Sequence, residues 1–338
     1  MIKELKLKAF KSFKDETVFP VKPLTVITGT NSCGKSSIIQ SILIIDRLMQ
    51  GVDINDALPK GHGSLQEFIN KASLPSDLTL EATFGDDTKA GYEDSKCFNS
   101  CGSHPDILFV SADRYGSRTS IAVLNNDRMD SRGDNLLKVL HSLEDEILPD
   151  AAQHPYSEKK NFLPNVAAWL DEISTGVKFQ YAIAEKADIS YTLFNDDRAN
   201  NVGYGLSYTL PVIVALLWAS LKPGRIVMIE NPEAHLHPKG QSKIAELICK
   251  VVEAGSQVII ETHSDHVVNG IRVNSLRYEQ GKSGIDRHKT SFIHVMQDMD
   301  SHTSTFVPVE LEEEGRIYDA PADFFDQFNI DRKELLGF

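Results

Sequence analysis

Residues 29–36 read Gly-Thr-Asn-Ser-Cys-Gly-Lys-Ser, between the strand-like run Leu24-Thr25-Val26-Ile27-Thr28 and the helical run Ser37–Met49. Nothing else in the chain constrains the fold as strongly. The G-x-x-x-x-G-K-[ST] spacing requires a buried strand to stop, turn through two glycines and open a helix whose N-terminus faces the turn. It predicts a site for the phosphates of a nucleoside triphosphate. The N–H groups of Gly29, Thr30, Asn31, Ser32, Cys33 and Gly34 would turn inward around the β-phosphate. Lys35 would neutralise β and γ oxygens, and the Ser36 hydroxyl would ligate Mg²⁺. An ordinary glycine-rich turn explains the glycines but not the strand before them and the helix after.

The second half carries a matching pattern. Arg225-Ile-Val-Met-Ile-Glu230 is an apolar strand ending in an acid, and Glu230 is read as the metal-side carboxylate, acting directly or through a water. Asn231-Pro-Glu-Ala-His-Leu-His-Pro238 follows, then a helix over Lys239–Val252 and another apolar strand, Gln257–Ile260, ending in Glu261-Thr-His-Ser-Asp-His266. Two such strands with polar ends are how an open α/β sheet builds a site beyond its strand C-termini. Earlier, Asn201-Val-Gly-Tyr-Gly-Leu-Ser-Tyr-Thr-Leu-Pro211 opens an apolar helix through Leu221. Its glycines and Ser207 suit either an anion or a plain glycine-rich turn with an N-cap serine.

Between the two halves, the pattern predicts strands over residues 2–8, Thr17–Phe19, Leu78–Phe84 and Asp106–Val110, helices over Asn135–Leu148 and Leu163–Ile173, and a hairpin from Lys178–Ala184 and Ile189–Phe194. The stretch Gly51–Ser76 reads as loop-rich and residues 85–105 as a polar, mobile excursion. A C-terminal helix is expected around Asp331–Leu336, beyond the acidic run Glu310–Glu314. The expected division is an N-terminal lobe at 1–50, an insertion or lid at 51–200, a C-terminal lobe at 201–290 and an extension at 291–338. No heptads run through the insertion, so a long coiled-coil arm is not expected.

Length and composition allow about two domains or one elaborated α/β domain, and 41% apolar residues suffice for a sizeable core. The longest apolar stretches, Leu210–Leu221 and Ile38–Ile45, fall short of the ~20 residues of a membrane span. The start, Met1-Ile2-Lys3-Glu4-Leu5, lacks the apolar core of a signal peptide. Four scattered cysteines, Cys33, Cys97, Cys101 and Cys249, read as free thiols of a reducing compartment, so a cytoplasmic location is expected. Cys97, Cys101 and His104 make half a zinc site without a second ligand pair. His235, His237, His263 and His266 invite a metal reading too, but His235 and His237 follow a strand end and the nucleotide chemistry already employs His263. A net charge of −13 leaves nucleic acid open as a partner without implying it.

Taken in order, GTNSCGKS, VGYGLSYTLP, IVMIENPEAHLHP and VIIETHSDH resemble the ABC-type ATPases of the OLD (overcoming lysogenization defect)/SMC/RecF group. The start LKAFKSFKD, the strand ILFVSADRYGS and the tail GRIYDAPADFFDQ are also similar to compact bacterial AAA ATPases with a short C-terminal domain of unknown function. The resemblance covers nearly the whole chain. It implies an α/β fold, an ABC-ATPase-like phosphate-loop head with a mixed central sheet, helices on both faces, an antiparallel β portion and a helical insertion. It carries the phosphate loop onto Gly29–Ser37, the last position being Ser37, the magnesium acid onto Glu230, the signature serine onto Ser207, the switch histidine onto His263 and the dimer-crossing loop onto Ala234–Pro238. ATP and Mg²⁺ are the implied cofactors, and a homodimer sandwiching two ATPs the implied assembly. Full-length OLD proteins continue into a Toprim nuclease, and no segment of that length is expected here.

Two departures stand out. Many relatives carry a second acid where this chain has Asn231, which can orient a water but cannot take its proton; Glu233, Glu261 or His263 would have to serve instead, and hydrolysis is expected to be slow or partner-stimulated. Tyr208-Thr209 stand where a transporter-like signature has two glycines. Gln66 reads either as a lid glutamine or as a surface residue, Lys11 and Ser12 as nucleotide contacts from the N-terminal segment, and Arg114 as a partner for phosphate or for an acid. The favoured function is a nucleotide-dependent dimeric switch acting on a separately encoded effector, with phage defence suggested by the resemblance alone. A RecF-like DNA-engaging repair ATPase is the alternative, and a nuclease using acids of the 300–325 region a third.

Overall fold

Alternating burial in β1 (Ile2–Lys8) sets the first sheet: Ile2, Leu5 and Leu7 face inward while Lys3 and Lys8 face solvent. A bulge between Ile2 and Glu4 lets residues three apart share the buried side. The computed structural model describes residues 1–59, 61 and 63–337. These fall into two units, one of Met1–Asp106, His288–Glu312 and the chain from Ile317, the other of Ile107–Arg287 and Glu313–Arg316.

In the first unit, β2 (Thr17–Pro20) pairs antiparallel with one edge of β1. Next come β3 (Leu24–Gly29), α1 (Lys35–Met49), the one-turn helices α2 (Ile54–Ala57) and α3 (Leu65–Phe68), and the strands β4 (Thr79–Phe84), β5 (Lys89–Glu93) and β6 (Lys96–Asn99). β4 pairs with the other edge of β1, and β5 and β6 continue the sheet. Residues 85–105, expected to be a mobile excursion, therefore hold two ordered strands: Ala90 and Tyr92 are buried and β5 packs on α1. The polar residues that suggested a loop lie largely in turns and on the exposed side. α1 buries Ile38, Ile39, Ile42, Ile45 and Leu48, the three-and-four spacing of one helix face.

In the second unit, β7 (Ile107–Val110) and β8 (Ile121–Ala122) precede α4 (Leu136–Leu143), α5 (Phe162–Ile173), the hairpin of β9 (Phe179–Ala184) and β10 (Ile189–Phe194), and β11 (Asp197–Arg198). β8 and β11 pair with β10. α4 stops five residues short of the expected Leu148, because the backbone there turns to pair elsewhere: Leu148 donates to the Lys160 carbonyl and Phe162 to that of Glu146. α6 (Tyr204–Ser220), apolar on all sides, is buried along most of its length and packs on β7 and β12 (Ile226–Glu230). After α7 (Pro238–Glu253), β13 (Gln257–Glu261) lies parallel to β12, and β12 is also parallel to β7. α8 (Asp265–Glu279) packs on α7.

The chain then returns to the first unit through β14 (Thr290–Gln297), parallel to β3, and β15 (Ser304–Val309), antiparallel to β14, and it ends in α9 (Gln327–Leu336). The fold class is mixed α/β, with parallel strands beside antiparallel ones. No described helix is long and apolar enough to cross a membrane.

Parallel pairing aligns Gly29 with Val295, and this packing demands glycine. At φ +137°, an added Cβ at Gly29 would lie 2.2 Å from the Val295 carbonyl oxygen and 2.8 Å from Cys33 Sγ. Gly29→Ala should therefore lower stability by about 2 kcal/mol or more, read as a reduced denaturation midpoint in urea at unchanged slope. Gly51→Ala, at φ +81° with open space around it, supplies a comparison with strain but no clash.

Candidate nucleotide site

The first unit presents the phosphate loop. Gly34 caps the start of α1, and its φ of +107° and close neighbours, Ser12 Oγ and Ser304 Oγ, exclude a side chain. Ser304 donates its hydroxyl to the Cys33 carbonyl at 2.6 Å and its amide to the Ser12 carbonyl at 2.8 Å, so the first residue of β15 ties the loop to the N-terminal turn. Lys35, only 4% exposed, reaches back along the loop: Nζ donates to the carbonyls of Gly29 at 3.0 Å and Thr30 at 2.6 Å. Gly29, Thr30, Asn31, Ser32, Cys33, Gly34, Lys35, Ser36 and Ser37 thus form one continuous strand-turn-helix, with Ser32 itself left-handed at φ 64°.

Beneath the loop, buried Thr28 is hydrogen-bonded through Oγ1 to His294 Nδ1 at 3.1 Å. Burial lowers the pKa of this histidine, against the raising effect of Asp323, and the Lys35 charge lowers it further. Lys11 spends its ammonium on Gln40 and on the Phe68 ring, 4.5 Å from the centroid, while Gln66 is exposed on α3.

The second unit gathers Glu230, Asn231, Glu233 and His263 where β12 and β13 end. The strands run in register from Ile226 opposite Gln257 to Glu230 opposite Glu261, so both break at one level. Glu230 Oε2 accepts hydrogen bonds from the Ala112 amide at 2.9 Å and the Ser111 hydroxyl at 3.3 Å. Asn231 leaves the strand in a left-handed conformation, φ 45°, with its amide donating to the Glu261 carbonyl at 2.8 Å. Glu233 Oε1 accepts from the His263 amide at 3.0 Å, so this side chain turns toward the end of β13. Its Oε2 and Asn231 Oδ1 are buried with no hydrogen-bond partner. Burial pushes the Glu233 carboxyl above its ordinary value, against the His263 amide, which favours the charged form.

Arg114 organises this end of the sheet. At 2% exposure, its guanidinium donates to four carbonyls: Tyr208 at 2.8 Å, Ser111 at 3.1 Å, Glu230 at 2.9 Å and Asn231 at 2.7 Å. Its hydrogen-bond partners are four backbone oxygens, where the sequence offered an acid or a phosphate. Burial pushes its pKa down to about 10, which leaves it charged at neutral pH. Ser207, on the first turns of α6, has its Oγ 3.3 Å from Ser117 Oγ, and Tyr208 packs against His235 with centroids 4.4 Å apart. Gly205 has no room for a side chain because the His235 carbonyl lies where a Cβ would sit 2.8 Å away. Of the residues that support the phosphate loop, sequence reading missed Ser304 and His294, which lie far along the chain from it.

A family model described as "AAA domain, putative AbiEii toxin, Type IV TA system" matches residues 24–269, which includes the phosphate loop, α6 and the ends of β12 and β13. The chain belongs to this AAA domain family. The OLD nuclease of Thermus scotoductus is 24% identical over 352 residues, an alignment covering 87% of this chain and 64% of that protein, so the chain spans less than two thirds of this relative's length. Among solved structures, the Smc head domain with a coiled coil and joint from Pyrococcus yayanosii matches with a TM-score of 0.51 at 12% identity, over 93% of this chain and 98% of that one. An Smc head domain from Pyrococcus furiosus matches at 0.49 and 13% identity, over 99% of each chain. The family and the fold together meet the expectation of an ABC/AAA-type ATPase of the OLD/SMC kind.

Arg114→Lys tests the clamp. A single ammonium cannot satisfy four carbonyls held in a fork geometry, and each buried acceptor left unmet costs ~1–3 kcal/mol. The Ser111 and Asn231 carbonyls keep backbone partners, the amides of Arg114 and Ala234, so the variant should lose about 2 kcal/mol of stability in urea unfolding, the worth of charge-assisted hydrogen bonds rather than of four orphaned acceptors. Stability within 1 kcal/mol of the parent protein would mean that the clamp is dispensable.

Proposed function

We propose that this chain binds ATP with Mg²⁺, hydrolyses it slowly, and uses it to close a homodimer that signals to a separately encoded effector. One observation carries the reading: a strand, a turn fixed by Gly29 and Gly34, and a helix opening on a buried Lys35 whose ammonium already rests on loop carbonyls. A triphosphate offers that ammonium stronger acceptors than two neutral carbonyls, and the helix N-terminus adds to the attraction.

For the metal, the donor set is a hydroxyl and a carboxylate, Ser36 and Glu230, both hard oxygen ligands suited to Mg²⁺. Both hydrogen bonds to Glu230 fall on Oε2. The bound ion would neutralise charge developing on the transferred phosphoryl group. Asn231 can position water and cannot accept its proton. Glu233 is the proposed base, supported by an unpartnered buried Oε2 and a raised pKa. His263, whose amide holds Glu233, is the proposed sensor of the terminal phosphate. Ser207 is assigned to the ATP of the second copy, as the resemblance implies. The absence of a second acid after Glu230 supports a long-lived ATP state, which suits a switch. A defence setting draws its support from the family description and from the OLD resemblance.

Lys35→Ala should abolish binding of a fluorescent ATP analogue while the thermal midpoint stays near that of the parent, and Ser207→Arg should bind the analogue yet fail to dimerise with it in sedimentation. Association independent of nucleotide in every protein would reject the switch.

The pH dependence follows from Glu233. A base must be deprotonated, and burial raises this carboxyl above its ordinary 4.5, so turnover should climb with pH through an apparent value above that. Glu233→Gln should remove this limb and lower turnover by ~10²–10⁴-fold with ATP affinity retained. An unchanged pH profile would place the base elsewhere, with Glu261 or His263 next to test.

A further inference from the structure

The chain beyond β15 returns to the sheet that carries the phosphate loop, and the proposed chemistry leaves this contact unused. β3 and β14 pair in register, so Val26 and Thr28 share a face with Phe292 and His294, and β15 continues that face with Val309 and Val307. Phe324 closes it. Its buried ring stands edge-on to Phe292, with centroids 6.0 Å apart, and to His294 at 5.6 Å. The backbone is left-handed on both sides of this ring, with Asp323 at φ 65° and Phe325 at φ 52°, and the Phe324 amide donates to the Pro321 carbonyl at 3.2 Å. A left-handed phenylalanine persists only where the surrounding contacts hold it.

His294 is thus enclosed between the strand that leads into the phosphate loop and the C-terminal segment. Its Nδ1 is engaged with Thr28 Oγ1 at 3.1 Å, and Thr28 immediately precedes Gly29, whose carbonyl accepts from Lys35 Nζ. Charges of both signs act on the ring. Burial disfavours a proton there most, Asp323 favours one, Lys35 disfavours it and Asp326 favours it, while Val307, its neighbour on β15, is uncharged. A triphosphate seated on Lys35 brings more negative charge than that lysine has positive, so the influence of the loop on the ring changes sign. Once protonated, the ring donates through Nδ1 to Thr28 Oγ1 and presents a cation to the acidic segment.

We propose that His294 is a positioning residue of the phosphate loop that takes up a proton when a nucleoside triphosphate binds, holding Thr28 on one side and tightening the segment 321–326 on the other. The inference rests on the reading of residues 29–37 as a triphosphate site, and it adds that occupancy of this site is transmitted to the C-terminal segment. Linkage fixes the sign. If binding favours the protonated ring, protonation favours binding by the same factor, so affinity rises as pH falls through the ordinary histidine range.

The test is calorimetric titration of the full chain with a non-hydrolysable ATP analogue and Mg²⁺ from about pH 8 to about pH 6, in buffers of different ionisation enthalpy, so that affinity and net proton uptake are read together. In the parent, affinity should rise about fivefold or more over that range, with protons taken up on binding. His294→Asn keeps an amide that can bond Thr28 but cannot titrate, so it should bind as the parent does at the alkaline end and lose both the rise and the uptake. The analogue's own titration is common to every variant and cancels in the comparison. Hydrogen exchange gives an independent readout: the analogue should slow exchange of the Phe324 and Phe325 amides in the parent at the acid end and leave it unchanged in His294→Asn. Identical pH dependence and proton uptake in the two proteins would overturn the inference and leave the phosphate-loop assignment standing, whereas failure of the parent to bind the analogue at any pH would remove both. Should His294→Asn not fold, the double variant Asp323→Asn with Asp326→Asn asks the same question from the C-terminal segment: the rise in affinity should shrink, and an undiminished rise would overturn the inference.

Discussion

Register between parallel strands is the constraint on which the phosphate loop of the first unit and the polar strand ends of the second each depend. Hydrogen bonds fix β12 against β13 so that Glu230 stands opposite Glu261, and β3 against β14 so that Gly29 stands opposite Val295. Both faces of these strands are buried, so a slip of one residue in either pair would exchange the side chains between faces and move the polar strand end out of line with its neighbour's. The chain leaves these strands where the backbone departs from the extended form: Gly29, the last residue of β3, has a positive φ, and Asn231, just after β12, is left-handed. Polar chemistry therefore collects where the pairing stops.

Arg114 converts that edge into a defined surface. Four carbonyls that would otherwise lie buried near the ends of β7 and β12 and at the start of α6 share one guanidinium. Its charge lies close to Glu230 and Glu233, and it favours the ionised form of Glu233. Ser304 has a comparable part in the first unit, joining the phosphate loop to the N-terminal turn through two hydrogen bonds. Positions of this kind fix backbone geometry, and the reactive side chains inherit it.

Much of this was legible in the sequence. The phosphate loop, the acid-ended strand Ile226–Glu230 and the strand before Glu261–His266 were readable because their apolar runs are long enough to be buried strands and their polar ends have no place in a core. The hairpin of β9 and β10 was readable from alternation. Residues 85–105 were not, since β5 and β6 are short and rich in glycine, lysine and asparagine, and only Ala90 and Tyr92 mark their buried side. Arg114 was visible as a charge, but its partners are carbonyls, which no sequence pattern displays. Support for the loop from Ser304 and His294 was hidden by some 270 residues of intervening chain, their contacts spanning 271 and 266 positions.

The central claim is that one nucleotide is completed by two copies of the chain. Mixing Lys35→Ala with Ser207→Arg tests it directly. Each variant alone should lack turnover above background, for want of either the phosphate lysine or a usable signature face. A heterodimer of the two contains one site in which both are intact, so the mixture should regain ATP hydrolysis, rising with the concentration of either variant at a fixed amount of the other. No recovery on mixing, at concentrations where the two chains demonstrably associate, would contradict the account, as would full turnover by Ser207→Arg alone.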